Sequence, residues 1–260
     1  MKARQFQPRV VKNIWEYVRK YGYVCYYTGM ALDLDDPRNA FYCVFDHWAP
    51  HDPNKIVITS ALINGMKSDL SEKEFWYYMR ALANYKRNHI PVRKRKLVFW
   101  DHHYALAEEE QAVGDVQALS RPHTGICDLC GKQLKNKLFT YCSTCFKIVY
   151  RLRHEAKHLP AATIEETLNY IRHKGFVCYY TSMKLDMNDP ASPWYCFLNH
   201  WRPGDVRKVV ITSALINVMK GALTEDEWWY YILALADYKD KGKPIAKRRP
   251  VFWRSHLLSA

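Results

Sequence analysis

One pattern occurs twice in this sequence, and the repetition limits the folds that the chain can adopt. Residues 17–100 read YVRKYGYVCYYTG…DHWAP…ITSALINGMK…VFW, and residues 170–253 read YIRHKGFVCYYTS…NHWRP…ITSALINVMK…VFW. The stretches align without a gap at a constant offset of 153 residues, and roughly half of their positions are identical. A gapless repeat of this length predicts two copies of one compact unit. Two copies indicate a paired domain rather than a solenoid.

The excess of basic over acidic residues indicates which class of partner the chain binds. The 260 residues include 39 Lys and Arg against 26 Asp and Glu, which gives a net charge of +13. This excess favours a polyanionic partner, nucleic acid before an anionic membrane. A generically basic protein without such a partner is the alternative. No apolar run has the length of a membrane span, and the N-terminus lacks a secretory signal. We therefore expect no membrane partner and an intracellular location in the cytoplasm, nucleoid or nucleus.

The repeats and the segment between them predict three domains. Residues 1–104 form the first repeat, residues 105–162 contain an acidic linker, a cysteine-rich module and a basic helix, and residues 163–260 form the second repeat. Each repeat predicts an opening helix that ends at a glycine and two strands, which in the first repeat are YVCYYTG and FYCVFDHW. The apolar run ITSALIN passes into a helix, and a longer capped helix follows. We expect an α+β fold.

Four cysteines between the repeats have the spacing of a metal site. Two Cys-x2-Cys pairs are separated by eleven residues, and their members are Cys127, Cys130, Cys142 and Cys145. Four thiolates at this spacing predict a structural zinc site in a treble-clef or ribbon-like module, since no coordination position stays open for catalysis. Four ordinary buried cysteines are the alternative. The absence of a secretory signal favours a reducing compartment.

The helix predicted after this module carries positive charge that can contact phosphate, at Lys147, Arg151 and Arg153. Its end, His154–His158, matches the His-Glu-x-x-His pattern of zinc proteases. No third ligand accompanies the pattern, and we interpret it as a solvated helix end.

In the first repeat, residues with chemical potential cluster in a short span. Asp46 and His47 stand at the end of a predicted strand, and Asn64 and Lys67 lie on the helix into which the apolar run ITSALIN passes. Carboxylate and amide oxygens are the ligands that magnesium and manganese prefer. A neutral histidine can take a proton from an attacking water, and Lys67 can contact phosphate. The pattern predicts a one-metal phosphodiesterase site, with a structural role for His47 as the alternative.

The layout of strand, Asp-His-x-x-Pro, loop, Asn and a helix with Asn-x-x-Lys resembles the HNH, or ββα-metal, nucleases over about fifty residues of each repeat. This resemblance implies two tandem ββα-metal units around the zinc module, related by pseudo-two-fold symmetry. It also implies that Asp46 and Asn64 bind a catalytic magnesium or manganese ion, His47 is the general base and Asn54 orients the site.

The second repeat departs from this pattern. His200 and Asn217 are kept as the equivalents of the base and the amide ligand, whereas Asn199 replaces the carboxylate and Arg207 replaces Asn54. An uncharged amide binds a divalent ion more weakly than a carboxylate, so we expect Asn199 and Asn217 to bind a metal ion more weakly than Asp46 and Asn64 do. Arg207 and Lys220 can still hold phosphate.

Each repeat closes with a basic segment. We expect these segments to bind phosphate through Arg93, Lys94, Arg95 and Lys96 in the first repeat and Lys247, Arg248 and Arg249 in the second. Two further expectations concern packing. Cys25, Cys43, Cys178 and Cys196 should be buried, and the aromatic clusters that begin at Trp76 and Trp228 should be buried at the interface between units, with base stacking as the alternative.

Together these features predict a metal-dependent endonuclease that acts on double-stranded DNA and works as an intramolecular pseudo-dimer. One complete site would nick one strand. Two rivals stay open: a non-catalytic DNA- or RNA-binding protein or subunit of a nucleoprotein assembly, and an enzyme that acts on RNA, since phosphate contacts do not distinguish the sugar.

Overall fold

The computed structural model describes residues 7–50, 52–100, 125–135, 140–155 and 159–253. Over these residues the fold is α+β, with seven α-helices and two small antiparallel sheets of two strands each. No helix in this part of the chain has the length and apolar character needed to cross a lipid bilayer. The linker predicted at 105–120 falls outside the described residues.

The first repeat is built from three helices and one sheet: α1 (Pro8–Tyr21), β1 (Cys43–His47), β2 (Ile56–Ser60), α2 (Ala61–Lys67) and α3 (Glu72–Asn88). Strands β1 and β2 are antiparallel, with Cys43 opposite Ser60 and His47 opposite Ile56. Because Ser60 ends β2 and also caps α2, accepting a hydrogen bond from Ile63 N at 3.3 Å, the chain passes from strand to helix without a loop.

The middle segment contributes α4 (Ser143–Tyr150), which continues into a short π-helical turn, Arg151–Glu155. The second repeat then supplies α5 (Ala161–Lys174), β3 (Cys196–His200), β4 (Val209–Ser213), α6 (Ala214–Lys220) and α7 (Glu225–Lys241). Each of its elements begins 153 residues after its counterpart in the first repeat. The predicted capping boxes are both present, with Ser71 and Glu74 at α3 and Thr224 and Glu227 at α7.

The strand predicted in VCYYT is wrong in both repeats, because the segment forms a tight turn. Cys25 N donates to Met30 O and Gly29 N donates to Cys25 O, both at 2.8 Å. Gly29 has φ +64, a left-handed conformation that closes the turn. Aromatic and β-branched residues favour strands in general, but here the local turn outweighs that propensity.

The same turn occurs in the four-cysteine module. Cys127 N donates to Lys132 O at 2.8 Å, Gly131 N donates to Cys127 O at 2.9 Å, and Gly131 has φ +70. Cys25 of the first repeat therefore corresponds to Cys127, and Thr28 corresponds to Cys130. The repeats therefore share the backbone turn of this module, with a threonine in the first repeat where the module has its second cysteine.

The chain divides into two compact units, Met1–Asp101 with Val218–Ala260 and His102–Asn217. The boundary falls inside α6, because α7 of the second repeat packs against α3 of the first. Arg80 and Arg87 on α3 form ion pairs of 2.6 and 3.0 Å with Asp240 and Asp237 on α7. The division at residues 104 and 162 stays a prediction from the sequence repeat.

Trp76 and Trp229 lie at this helix pair, since Lys239 of α7 stands over the Trp76 ring and Lys86 of α3 stands over the Trp229 ring. Trp76 and Tyr78 on α3 are buried, and so are Trp228, Trp229 and Tyr231 on α7. Three of the four repeat cysteines are also buried as predicted. Cys43 is the exception and is half-buried, because it begins β1, whose first three residues are only partly covered.

Candidate phosphodiester and metal sites

An open cleft in the first repeat brings the predicted site residues together. Asp46 and His47 stand at the end of β1, while Asn64 and Lys67 stand on α2. Because residues three apart on a helix share one face, Asn64 and Lys67 both turn toward the strand end. The cleft is completed by neighbouring side chains: Phe45, Pro50, Pro53, Ser68 and Asp69.

Asp46 is held by two donors at the base of this cleft. Tyr27 Oη donates to Asp46 Oδ2 at 2.9 Å, and Lys67 Nζ lies 3.1 Å from Asp46 Oδ1. Lys67 Nζ also donates to the His47 carbonyl at 2.8 Å, which fixes the strand end to the helix. Burial raises the pKa of the Asp46 carboxyl, and Lys67 and Tyr27 oppose that rise.

Tyr27 was not identified from the sequence as a site residue. It is fully buried, and burial together with the Asp46 carboxylate raises the pKa of its phenol. The available signal was the identical Tyr-Tyr-Thr in both repeats. Its meaning depends on the turn at Cys25–Met30, which places Tyr27 against β1 and which strand propensity did not predict.

Asn54 lies elsewhere. Its side chain is exposed and borders a second cleft, between α1 and β2, rather than the one that contains Asp46. The orienting role implied for Asn54 therefore has no geometric support.

The second repeat brings its two amides into contact. Asn199 Nδ2 donates to Asn217 Oδ1, and Asn199 is buried. The remaining oxygen, Asn199 Oδ1, is buried without a hydrogen-bond partner among the described residues. The residues equivalent to Asp46 and Asn64, which are Asn199 and Asn217, therefore contact each other directly.

His200 is exposed, with Nδ1 2.9 Å from the Asp205 carbonyl. A carbonyl can only accept, so Nδ1 carries the proton and the basic lone pair lies on Nε2. Arg207 is also exposed and pairs with the Asp205 carboxylate at 2.9 Å. The hydrogen bonds from Arg207 lower the pKa of Asp205 to about 2.

Three of the predicted phosphate contacts need correction, because the side chains are buried. Lys67 is held by Asp46, and Lys220 donates to the Leu223 carbonyl at 2.8 Å. Burial lowers the pKa of Lys220 to about 8. Arg151 donates to the Cys196 carbonyl at 3.1 Å and lies over the rings of Tyr195 and Phe197. Each of these cations stabilises the fold instead of facing solvent.

The basic segment of each repeat is extended and anchored to a helix by a pair of tyrosines. We call residues 93–96 and 247–249 the first and second basic straps. In the first, Tyr77 Oη donates to Arg93 O at 3.1 Å, and Arg95 N donates to Tyr78 Oη at 3.2 Å. In the second, Arg248 N donates to Tyr231 Oη at 3.3 Å.

The strap side chains remain at the surface. The guanidinium of Arg95 lies 3.5 Å from the centre of the Tyr77 ring, and that of Arg248 lies 3.8 Å from the Tyr230 ring. The other basic residues of the straps are exposed: Arg93, Lys94, Lys96, Lys247 and Arg249. Lys147 and Arg153 are exposed on the helical segment of the middle module.

The four cysteines of the middle module converge. The sulfur atoms of Cys127, Cys130, Cys142 and Cys145 all lie within 4.8 Å of one another. The first pair stands on the glycine-closed turn, and the second pair on the first turn of α4 and the residue that caps it. Such a cluster can bind a metal ion such as zinc.

The backbone around the cluster favours a thiolate. Burial raises the pKa of Cys127, but N–H groups including that of Cys142, 3.3 Å from the sulfur, outweigh it and lower the pKa to about 7. Burial raises the pKa of the Cys130 and Cys145 thiols. A bound cation would reverse that effect, since coordinating thiols are deprotonated. Residues 156–158 of the protease-like pattern lie outside the described residues.

No protein-family model, curated protein or solved structure matches this chain.

Proposed function

We propose that this chain is a metal-dependent nuclease of the ββα-metal type, whose first repeat contains the phosphodiester-cleaving site. The observation that carries the proposal is the convergence of Asp46, His47, Asn64 and Lys67 in one open cleft, from two separate segments of the chain. An acid, an imidazole and an amide are the groups needed for metal-assisted hydrolysis of a phosphodiester.

Asp46 and Asn64 fit a divalent cation of the magnesium type, because both offer hard oxygen donors. Two observations support this fit. The Lys67 ammonium already lies 3.1 Å from Asp46 Oδ1, so the carboxylate stands where positive charge is stabilised. The equivalent amides of the second repeat touch, so ligands from β1 and α2 can reach one ion. A bound ion would stabilise the negative charge that develops on the phosphate.

The protein's own groups would perform the remaining steps. His47 lines the cleft and would accept a proton from the attacking water. The oxygen of that water bonds to phosphorus while the P–O bond to the leaving oxygen breaks, and the leaving oxygen takes a proton from solvent. Lys67 holds Asp46 and the His47 carbonyl together, so it positions the base and the acid relative to each other. Tyr27 fixes the second oxygen of Asp46 and limits the orientations that the carboxylate can adopt.

The exposed basic straps support a polyanionic substrate. Their cations project from backbones that are already ordered by tyrosine hydrogen bonds, which lowers the entropy cost of binding. Contacts of this kind supply affinity for phosphate without sequence information. Double-stranded DNA is the substrate that we propose, with a structural zinc ion on the four cysteines and a reducing intracellular compartment.

A non-catalytic nucleic-acid-binding protein is the second candidate, and one observation favours it. Both oxygens of Asp46 already accept hydrogen bonds, from Tyr27 and Lys67. A carboxylate satisfied in this way can serve as a structural group. In this candidate the straps bind nucleic acid and the cleft is inert.

A plasmid-nicking assay separates the candidates. The full chain is incubated with supercoiled DNA, and in parallel with labelled duplex RNA, in magnesium and in manganese. The nuclease proposal expects nicked DNA, its loss in His47→Ala and its retention in the matched variant His200→Ala. Binding, measured without added magnesium or manganese and without a chelator, so that zinc stays on the four cysteines, should be unchanged in both variants. If DNA binds but stays intact in every metal, the second candidate holds, and cleavage of RNA alone would reassign the substrate.

A further inference from the structure

The first repeat has a second cleft, between α1 and the outer edge of β2. Its volume is about 220 Å³, and protein cavities of about 150 Å³ bind benzene. Three aromatic side chains, Tyr17, Tyr26 and Trp48, form part of its wall. Apolar residues of α1 and β2 supply most of the rest, and Lys55 and Asn54 stand at its border. The cleft therefore suits a flat, largely apolar ring.

One edge of β2 faces this cleft. Trp48 N donates to Lys55 O at 2.9 Å. In an antiparallel pair every second residue bonds to the partner strand, so the backbone groups of Val57 and Thr59 also point toward β1. The backbone N–H and C=O groups of Ile56 and Ile58 point away from β1, and Ile58 O accepts a hydrogen bond from Tyr26 N at 3.0 Å. The carbonyl of Ile56 is consequently directed to the α1 side, where it can accept a hydrogen bond.

In the second repeat, two threonine hydroxyls occupy the equivalent position between α5 and β4. Thr163 Oγ1 donates to Arg207 O at 3.0 Å, and Thr167 Oγ1 lies 2.9 Å from Val209 O. These bonds join α5 directly to the edge of β4. They satisfy the carbonyls that correspond to those of Asn54 and Ile56 in the first repeat.

The first repeat has Val10 and Ile14 at the positions of those threonines. Neither side chain carries a hydroxyl, so neither can donate to the edge of β2. In the second repeat, therefore, hydrogen bonds join the helix to the strand edge. In the first repeat an apolar cleft lies at the same position, beside the strand carbonyls. This difference leaves acceptors for a ligand that brings its own N–H donors.

The chemistry of the cleft points to a nucleobase. A base offers a flat ring for the aromatic wall and, in adenine, cytosine or guanine, an exocyclic amine for the strand carbonyls. Lys55 Nζ lies 4.0 Å from the centre of the Trp48 ring, so a cation that can pair with a nucleotide's phosphate stands beside the aromatic wall. A peptide strand would also find acceptors here, but it would not need the cation.

We propose that this cleft binds one unstacked base of single-stranded nucleic acid, beside the phosphodiester that the neighbouring cleft would cleave. The inference rests on the proposed function for its choice of substrate. The loop that joins β1 to β2 borders both clefts, with Pro53 on the phosphodiester side and Asn54 on the base side. The bound base therefore belongs to a nucleotide close to the cleaved bond, so the enzyme needs a locally opened substrate.

Binding measured without added magnesium or manganese, and without a chelator that would remove zinc, tests this proposal without requiring cleavage. The probes are a labelled eight-residue oligodeoxyadenylate and an abasic deoxyribose phosphodiester of equal length, with fluorescence anisotropy as the readout. The unaltered chain should bind the base-bearing probe at least about fivefold more tightly, the ratio expected from one stacked base. The double variant V10T/I14T, which copies the second repeat, should lose this preference and keep its affinity for the abasic probe.

Val11→Thr is the matched control, because Val11 lies on the same helix but is exposed and does not border the cleft. It should keep the full preference. Circular dichroism establishes that each variant is folded. Ultraviolet crosslinking of the unaltered chain to an oligonucleotide that contains 5-iododeoxycytidine, whose base keeps the exocyclic amine, gives a second readout, with adducts expected at Tyr26 or Trp48.

The proposal is overturned if the unaltered chain shows no preference for bases, if V10T/I14T retains that preference, or if adducts form only on the basic straps. Preferential capture of an unstructured peptide would indicate pairing at the β2 edge instead. Loss of cleavage with a preserved base preference would contradict the nuclease proposal alone. Cleavage without a base preference would contradict the base-binding site alone.

Discussion

Lys67 and Asp46 form a buried ion pair, with Nζ 3.1 Å from Oδ1 and the two side chains 1% and 6% exposed. Removing two charges from water is costly, and their attraction offsets this only when other hydrogen bonds complete the site. Tyr27 and the His47 carbonyl complete it here. The pair therefore connects the stability of the first repeat to the geometry of its candidate site.

Lys67→Met should destabilise the chain by about 3–5 kcal/mol at neutral pH, because it leaves the Asp46 carboxylate buried without a cation. The loss should be smaller near pH 5, where the carboxyl can become protonated. Urea unfolding at the two pH values measures both effects. The matched variant Lys220→Met removes an equally buried lysine that donates to the Leu223 carbonyl and whose burial outweighs the attraction of Glu225 and Glu227, so it should cost less than Lys67→Met. Equal losses in the two variants would argue against a special role for the Asp46 pair.

Lys220 should make stability increase with pH. Its pKa is about 8 in the folded chain and about 10.4 when unfolded, since burial disfavours the ammonium. Between these values the unfolded state binds more protons, so the free energy of unfolding rises with pH. Below about pH 8 the cost of the buried charge is constant.

The increase in the free energy of unfolding that Lys220 causes should reach about 3 kcal/mol at about pH 10.4. Unfolding in urea from pH 7 to 10 measures it as the difference between the unaltered chain and Lys220→Met, in which the other alkaline titrations cancel. A difference that stays constant across this range would contradict the prediction.

The sequence predicted the candidate site where its signals were local. Asp46 and His47 follow an apolar strand, and Asn64 and Lys67 are three residues apart on a helix that Ser60 begins. The helix caps at Ser71 and Thr224 were also predicted, because a capping box depends on neighbouring residues alone. Such features need no knowledge of which segments meet in space.

The sequence failed where tertiary contacts decide. Arg151 was expected to face phosphate, but its guanidinium lies over two rings of the second repeat and donates to a carbonyl there. Tyr27 was assigned to a strand, whereas the turn around Gly29 directs it to Asp46. Neither outcome can be derived from spacing, since each partner is supplied by a distant part of the chain.

The four cysteines should hold one metal ion per chain. Metal analysis of the purified protein should give a stoichiometry near one zinc, and Cys130→Ser should abolish it, because three thiolates bind zinc much more weakly than four. Cys130 suits the test since its side chain is exposed and not part of a core. Cys43→Ser, outside the cluster, should keep the metal. Retention of zinc by Cys130→Ser would place the ion elsewhere.

Asn199→Asp should strengthen the second site. Asn199 lies in contact with Asn217, and its Oδ1 is buried without a partner among the described residues. A carboxylate there restores the charge that the first repeat has at Asp46, so the affinity for a divalent ion should rise.

Supercoiled plasmid is the substrate of choice, because nicks on opposite strands give a linear product. The variant should yield more linear DNA than the unaltered chain, and N199D/H200A should return to nicking alone. Unchanged products in Asn199→Asp would mean that the second repeat lacks more than a carboxylate, with Arg207 in place of Asn54 as the next difference to exchange.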